Sequence, residues 1–119
     1  MEFDVVTVPG ALEIPPAISL AEEAGRFPTA PRYDGYVALG CVIRGETAHF
    51  DYVCSFATDG LLRVQLDHGL PIGFGLITCD TVAQAQARAE LGDGGHNVGA
   101  DAARAALEVA GLARSIRSS

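Results

Sequence analysis

The chain has no lysine and no tryptophan, one methionine, and three cysteines in 119 residues. All eight basic residues are arginine, set against fifteen aspartates and glutamates, for a net charge of -7. Such a balance repels a phosphate backbone and excludes a nucleic-acid-binding role built on a basic surface. It leaves room for a small phosphorylated ligand, which one well-placed arginine can hold. Cys41, Cys54 and Cys79 are odd in number and far apart, unlike a disulfide framework, so the expected compartment is reducing and cytoplasmic. The three histidines show no metal-ligand spacing with them, and no metal is expected. The longest apolar runs, Tyr36–Ile43 and Leu70–Cys79, contain glycine and fall well short of the ~20 residues of a membrane span. No basic leader precedes an apolar core, so neither a signal peptide nor a membrane partner is expected.

What the chain does have is apolar residues in ordered blocks, 49% of the total. That is high for one small domain and points to further burial between subunits. Val5–Val8 is β-branched and ends at Pro9-Gly10, which reads as a strand and a turn. Pro15-Pro16 opens a helix with Ile14, Ile18 and Ala21 on its apolar face, closed by Gly25. Arg26–Gly35 reads as a surface loop. Tyr36–Ile43 is apolar on both faces, as a central parallel strand is. Thr47 is placed to cap a helix running to about His68, with Phe50, Val53, Ala57, Leu61 and Val64 at helical spacing and Gly69 at its end. Ile72–Thr78 reads as a third strand. Thr81 and Gln84 make a capping-box pattern for a helix to about Ala89. Gly92–Gly95 breaks the chain, and a last helix is expected over about Gly99–Ala113. Alternating strands and helices predict an α/β fold with a parallel sheet, a three-layer αβα sandwich of flavodoxin-like topology.

Residues 41–53, Cys-Val-Ile-Arg-Gly-Glu-Thr-Ala-His-Phe-Asp-Tyr-Val, carry the most information about function. An apolar strand ends, a short polar loop follows, and His49 sits at the mouth of a helix. Parallel α/β proteins bind ligands at such junctions, and the helix N–H groups there attract phosphate. An imidazole beside a phosphate ester can shuttle a proton. Taken alone, a histidine at a helix start is more often a capping or surface residue. Arg44 is either an anion ligand or the ion-pair partner of Glu46 or Asp51. The three cysteines read as small buried apolar residues, and Asp101 as a surface group or an orienter of His49 or Arg88.

Three segments resemble lumazine synthase: Val8–Pro15 (Val-Pro-Gly-Ala-Leu-Glu-Ile-Pro), Ala38–Val53, and Gly73–Thr81 (Gly-Phe-Gly-Leu-Ile-Thr-Cys-Asp-Thr). The family condenses 5-amino-6-(D-ribitylamino)uracil with 3,4-dihydroxy-2-butanone 4-phosphate. The product is 6,7-dimethyl-8-ribityllumazine, with release of phosphate and water, and no cofactor takes part. The resemblance implies proton transfer by His49, phosphate binding by the backbone at Glu46 and Thr47 and by Arg88, and a ribityl subsite at Ala11, Leu12 and Glu13. It further implies that Cys41, Val42 and Ile43 lie beside the pyrimidine ring, and that Phe74 serves the site of a neighbouring subunit. A homopentamer or decamer, with handover of product to riboflavin synthase, follows from the same resemblance.

The chain departs from the family pattern in three respects, one being that Arg88–Asn97 is about two residues longer than in capsid-forming members. Family members begin with a further strand and helix, which include an aromatic loop that stacks on the pyrimidine. Residues 1–119 are therefore expected to form one N-terminally incomplete domain, in which Val5–Val8 and Tyr36–Ile43 stand too far apart to pair. The family also commonly carries a lysine near the residue matched by Asn97, and this chain has none. The absent aromatic loop and lysine favour a competing reading, a non-catalytic flavin- or lumazine-binding assembly protein, and the retained His49 and Arg88 disfavour it.

Overall fold

The computed structural model describes residues 2–24, 33–45, 49–90 and 97–118. Gly10 is extended and leads into a single 3-10 turn, Ala11–Glu13, in which the Glu13 N–H donates to the Gly10 carbonyl at 3.1 Å. Helix α1, Ile14–Ala24, follows directly. Pro15 and Pro16 lie in its first turn, where a missing N–H leaves no helical bond unmade. Ile14 and Ile18, one turn apart, are buried, and Glu22 continues the row. A buried carboxyl group is tolerated there because the Tyr36 hydroxyl donates to its Oε2 at 3.0 Å.

Strand β1 is Tyr36–Ile43 and strand β2 is Ile72–Cys79. They run parallel in register from Tyr36 opposite Ile72 to Ile43 opposite Cys79. Helix α2, His49–His68, makes the crossover that parallel neighbours require. Its end matches the expectation: Gly69 has φ +61°, and the Leu70 N–H donates to the Gln65 carbonyl at 2.9 Å. That is a Schellman closure, which needs a residue free to turn left-handed. Helix α3, Val82–Ala87, opens with the expected capping box. Thr81 Oγ1 accepts from the Gln84 N–H at 3.1 Å, and Gln84 Oε1 accepts from the Thr81 N–H at 3.3 Å. The helix stops two residues earlier than expected, at Ala87, and the N–H of the capping Arg88 folds back onto Gln84 and Ala85. Helix α4, Val98–Ser118, is longer than expected at both ends. Asn97 Oδ1 accepts from the Ala100 N–H at 2.8 Å and caps it, and Arg117 donates to the Gly69 carbonyl at the end of α2, at 3.3 Å.

Side chains alternate across a sheet, so the contacts assign each helix to a face. Ala38 and Leu76 join Ile14, Ile18, Ala57 and Leu61 in the core, with α1 and α2 over them. On the opposite face α4 lies on β2. A Cβ built at Gly73 would stand 2.0 Å from the Ala102 carbonyl oxygen, and one at Gly75 would stand 3.3 Å from the Ala102 Cβ. At Gly73 the backbones of strand and helix are therefore almost in contact, and only glycine permits it.

Three expectations are corrected. Val5–Val8 is not a strand: among the described residues the sheet has two strands, and Val5 and Val6 are exposed. With no neighbour to supply a hydrogen-bond ladder, β-propensity alone does not make a strand. β1 is not buried on both faces. Ala38 is enclosed, while Val37, Leu39, Cys41 and Ile43 on the other face are exposed. Of the cysteines, Cys79 is buried and Cys54 half-buried, but Cys41 is exposed. No helix among the described residues is long and apolar enough to cross a membrane.

Candidate active site

The two parallel strands end side by side, and the candidate site lies at that edge. Cys41, Val42 and Ile43 are the last three residues of β1, and His49 is the first residue of α2. The first-turn N–H groups of this long helix have no partners within it and carry its positive dipole end. The turn Ala11–Glu13 packs against α2 and touches β1. Leu12 and Glu13 are exposed there and Ala11 is half-buried. The fold thus gathers Ala11–Glu13, Cys41–Ile43 and His49, three of the expected site segments, onto three contacting elements.

Arg44, immediately after β1, organises this edge. Its Nε donates to Asp80 Oδ1 at 2.7 Å, its Nη2 lies 3.5 Å from Asp51 Oδ1, and its Cζ sits 4.5 Å over the Phe50 ring. The hydrogen bond to Asp80 raises the Arg44 pKa further above its already high value. Of the two readings open in the sequence, the ion pair holds, with Asp51 as one partner. Asp80 was missed, although an aspartate directly after a parallel strand is a signal for this edge. The capping role of Asn97 was missed as well, and so was its Nδ2 bond to the Glu90 carbonyl at 3.1 Å.

Burial first, then the neighbouring Cys79, raises the Cys41 thiol pKa. Burial and then Asp51 raise that of Cys54, against an opposing pull from Arg44. The Cys79 thiol donates to the Thr81 carbonyl at 3.2 Å. Both raised thiols are therefore poor thiolate nucleophiles at neutral pH. Among the described residues no group of three or more His, Cys, Asp and Glu could hold a metal ion.

Other expected site residues lie elsewhere. Phe74 is the third residue of β2, opposite Ala38, and is exposed. Cys79 lies five residue steps further on, about 16 Å along the sheet. The chain's own β2 therefore does not carry Phe74 to the carboxyl edge. Arg88 follows α3, with its Nη1 donating to the Gln84 carbonyl at 3.3 Å. Its own carbonyl accepts from the Val98 N–H at 2.8 Å, bracing it against the start of α4. Asp101 pairs with Arg104 on the surface. Glu46 and Thr47, the expected phosphate-binding residues and helix cap, lie outside the described residues, as do His96 and Gly92–Gly95.

Comparison with known proteins gives this arrangement a family. The profile of 6,7-dimethyl-8-ribityllumazine synthase matches residues 1–114. The chain belongs to that family. It is 51% identical over 111 residues to the 6,7-dimethyl-8-ribityllumazine synthase of Azorhizobium caulinodans, covering 93% of this chain and 67% of that protein. It is 50% identical over 112 residues to the Frankia casuarinae synthase, covering 94% and 65%. It is 48% identical over 115 residues to that of Lactiplantibacillus plantarum, covering 97% and 67%. The chain thus spans about two thirds of the length of these relatives. Membership places it among the transferases of riboflavin biosynthesis. The mixed fold with a parallel strand pair agrees with the family's α/β architecture.

Proposed function

We propose that this chain forms the condensing site of a 6,7-dimethyl-8-ribityllumazine synthase. The amine of 5-amino-6-(D-ribitylamino)uracil attacks the ketone of 3,4-dihydroxy-2-butanone 4-phosphate to form an imine with loss of water. Phosphate then leaves, and the second amine closes the ring with loss of water. His49 moves the protons. The backbone at Glu46 and Thr47, with Arg88, holds the phosphate. Ala11, Leu12 and Glu13 hold the ribityl chain, and Cys41, Val42 and Ile43 flank the pyrimidine. The observation that carries this reading is His49 at the first residue of a long helix, the next element after the carboxyl end of a parallel strand. Such chemistry needs two reactants held together and one proton shuttle, and positioning alone can supply about 7 kcal/mol or more. It needs no thiolate, in keeping with the raised thiols of Cys41 and Cys54.

The complete unit in this reading is a three-layer flavodoxin-like sandwich in a cytoplasmic homopentamer or decamer, which passes its product to riboflavin synthase. Phe74, remote from the chain's own carboxyl edge, serves a neighbour's site. In this reading the exposed Val37, Leu39 and Ile43 of β1 are covered by other parts of the assembled enzyme.

Mixing the two substrates with the purified protein and following lumazine fluorescence tests the activity. Product formation is expected, with His49→Ala slower by about 10- to 1000-fold, the usual range for a general acid–base. Tight lumazine binding without turnover would replace this reading with the non-catalytic binder. Unchanged turnover in a correctly assembled His49→Ala protein would remove the histidine from the mechanism.

A further inference from the structure

We propose that Arg44 is a positioning residue that fastens the first turn of α2, and with it His49, to the carboxyl ends of both strands. The inference rests on the functional reading above for its kinetic consequences, and on geometry alone for its structural ones. The Arg44 N–H donates to the Cys79 carbonyl at 2.9 Å, extending the strand ladder one step past β1. Its side chain then does three things at once. Nε donates to Asp80, directly after β2. Nη2 faces Asp51, two residues beyond His49. The guanidinium plane covers the ring of Phe50, the residue next to His49. One residue thus joins the end of β1, through its backbone, to the end of β2 and the turn that carries the histidine.

A planar, fixed fork of donors suits this task, and a lysine ammonium does not reproduce it. The charge of Arg44 is already met by two carboxylates, so the group is engaged within the protein rather than presented to an anion. The ion pairs are half exposed, at 47% for Arg44 and above 60% for its partners. Pairs this exposed contribute little to global stability. Their consequence lies in placement, because small displacements of a reacting group can lower a rate by about 100-fold.

The test is a cycle of Arg44→Met, Asp80→Asn and the double variant, with Arg44→Lys beside them. Each is assayed with both substrates in the assembled protein. Arg44→Met is expected to lower kcat and raise KM for the phosphorylated substrate, together costing about 10- to 100-fold in kcat/KM. KM for the pyrimidine stays within about twofold. Asp80→Asn moves the same way, the double variant is no worse than Arg44→Met, and Arg44→Lys restores little. A lower KM for the phosphorylated substrate in Asp80→Asn would overturn the proposal, since a freed arginine would then be binding the anion itself. Additive effects, or wild-type kinetics in Arg44→Met, would also overturn it.

An inactive wild type would defeat the functional reading and leave the structural half to a second measurement. Arg44→Met is expected to shift the His49 imidazole carbon–proton signal and speed amide exchange over residues 49–53, at unchanged melting temperature. An unaltered signal and unaltered exchange would overturn the positioning role.

Discussion

The two faces of the strand pair are packed by opposite means. Beneath α1 and α2, Ile14, Ile18, Leu61 and Leu76 surround Ala38, and burial is achieved by side chains. Beneath α4, Gly73 brings the backbone of β2 against the backbone of Ala102, and Gly75 leaves room for the Ala102 methyl group and the Leu39 side chain. The first face can relax when a side chain changes, because neighbours re-pack around a difference of a methyl group or two. At Gly73 the second meets backbone with backbone, where no rotamer can give way. The glycine face is also only half covered: α4 lies mainly on β2, while Leu39, Cys41 and Ile43 of β1 remain open beside the candidate site.

The sharpest way to break this comparison is Gly73→Ala. A methyl group there would stand 2.0 Å from the Ala102 carbonyl oxygen and 2.7 Å from its carbonyl carbon. The whole of α4 must move to admit it, at an expected cost of about 3 kcal/mol or more. Denaturant unfolding measures the loss. A midpoint close to wild type would mean that α4 is free to shift, and the two faces would then differ less than the geometry states.

On the other face Leu61→Ala is expected to cost about 3 kcal/mol, the middle of the range for a buried leucine. Leu61→Met, nearly equal in volume, should cost under about 1.5 kcal/mol. The contrast matters more than either value, since Gly73 has no conservative replacement. If Leu61→Met proved as harmful as Leu61→Ala, the side-chain face would be as exacting as the glycine face.

The same difference explains what could be read from the sequence. Ile14, Ile18, Ala57 and Leu61 announce a helix–sheet core by periodicity, and the structure buries all four. The Thr81–Gln84 box and Gly69 announce helix ends by local chemistry, and both form. His49 and the end of β1 were legible because a strand–loop–helix junction has its own pattern. Gly73 and Gly75 said only that something comes close, not that α4 does. The Arg44 cluster joins residues up to 36 positions apart, so no local pattern carries it. Val5–Val8 shows the reverse failure. Its composition suits a strand, but a strand is made by its neighbours, and none pairs with it among the described residues.

The smallest effect concerns the uncovered part of the glycine face. Cys41 and Cys79 point to the same side of adjacent strands, yet Cys41 is exposed and Cys79 buried. A thiol-alkylating reagent should therefore modify Cys41 first in the folded protein. It should do so more slowly than in the urea-unfolded chain, because burial and Cys79 raise the Cys41 pKa in the fold. A raised pKa leaves less thiolate at about pH 7.5, and thiolate is the reacting form. The folded rate should thus climb as pH rises toward the thiol's own pKa, and the gap to the unfolded chain should narrow. Peptide mapping of the labelled protein reads both rates. Equal labelling of Cys41 and Cys79 would mean that the cover over β2 opens as readily as the bare surface of β1, and the contrast between covered and open halves would then be one of degree alone.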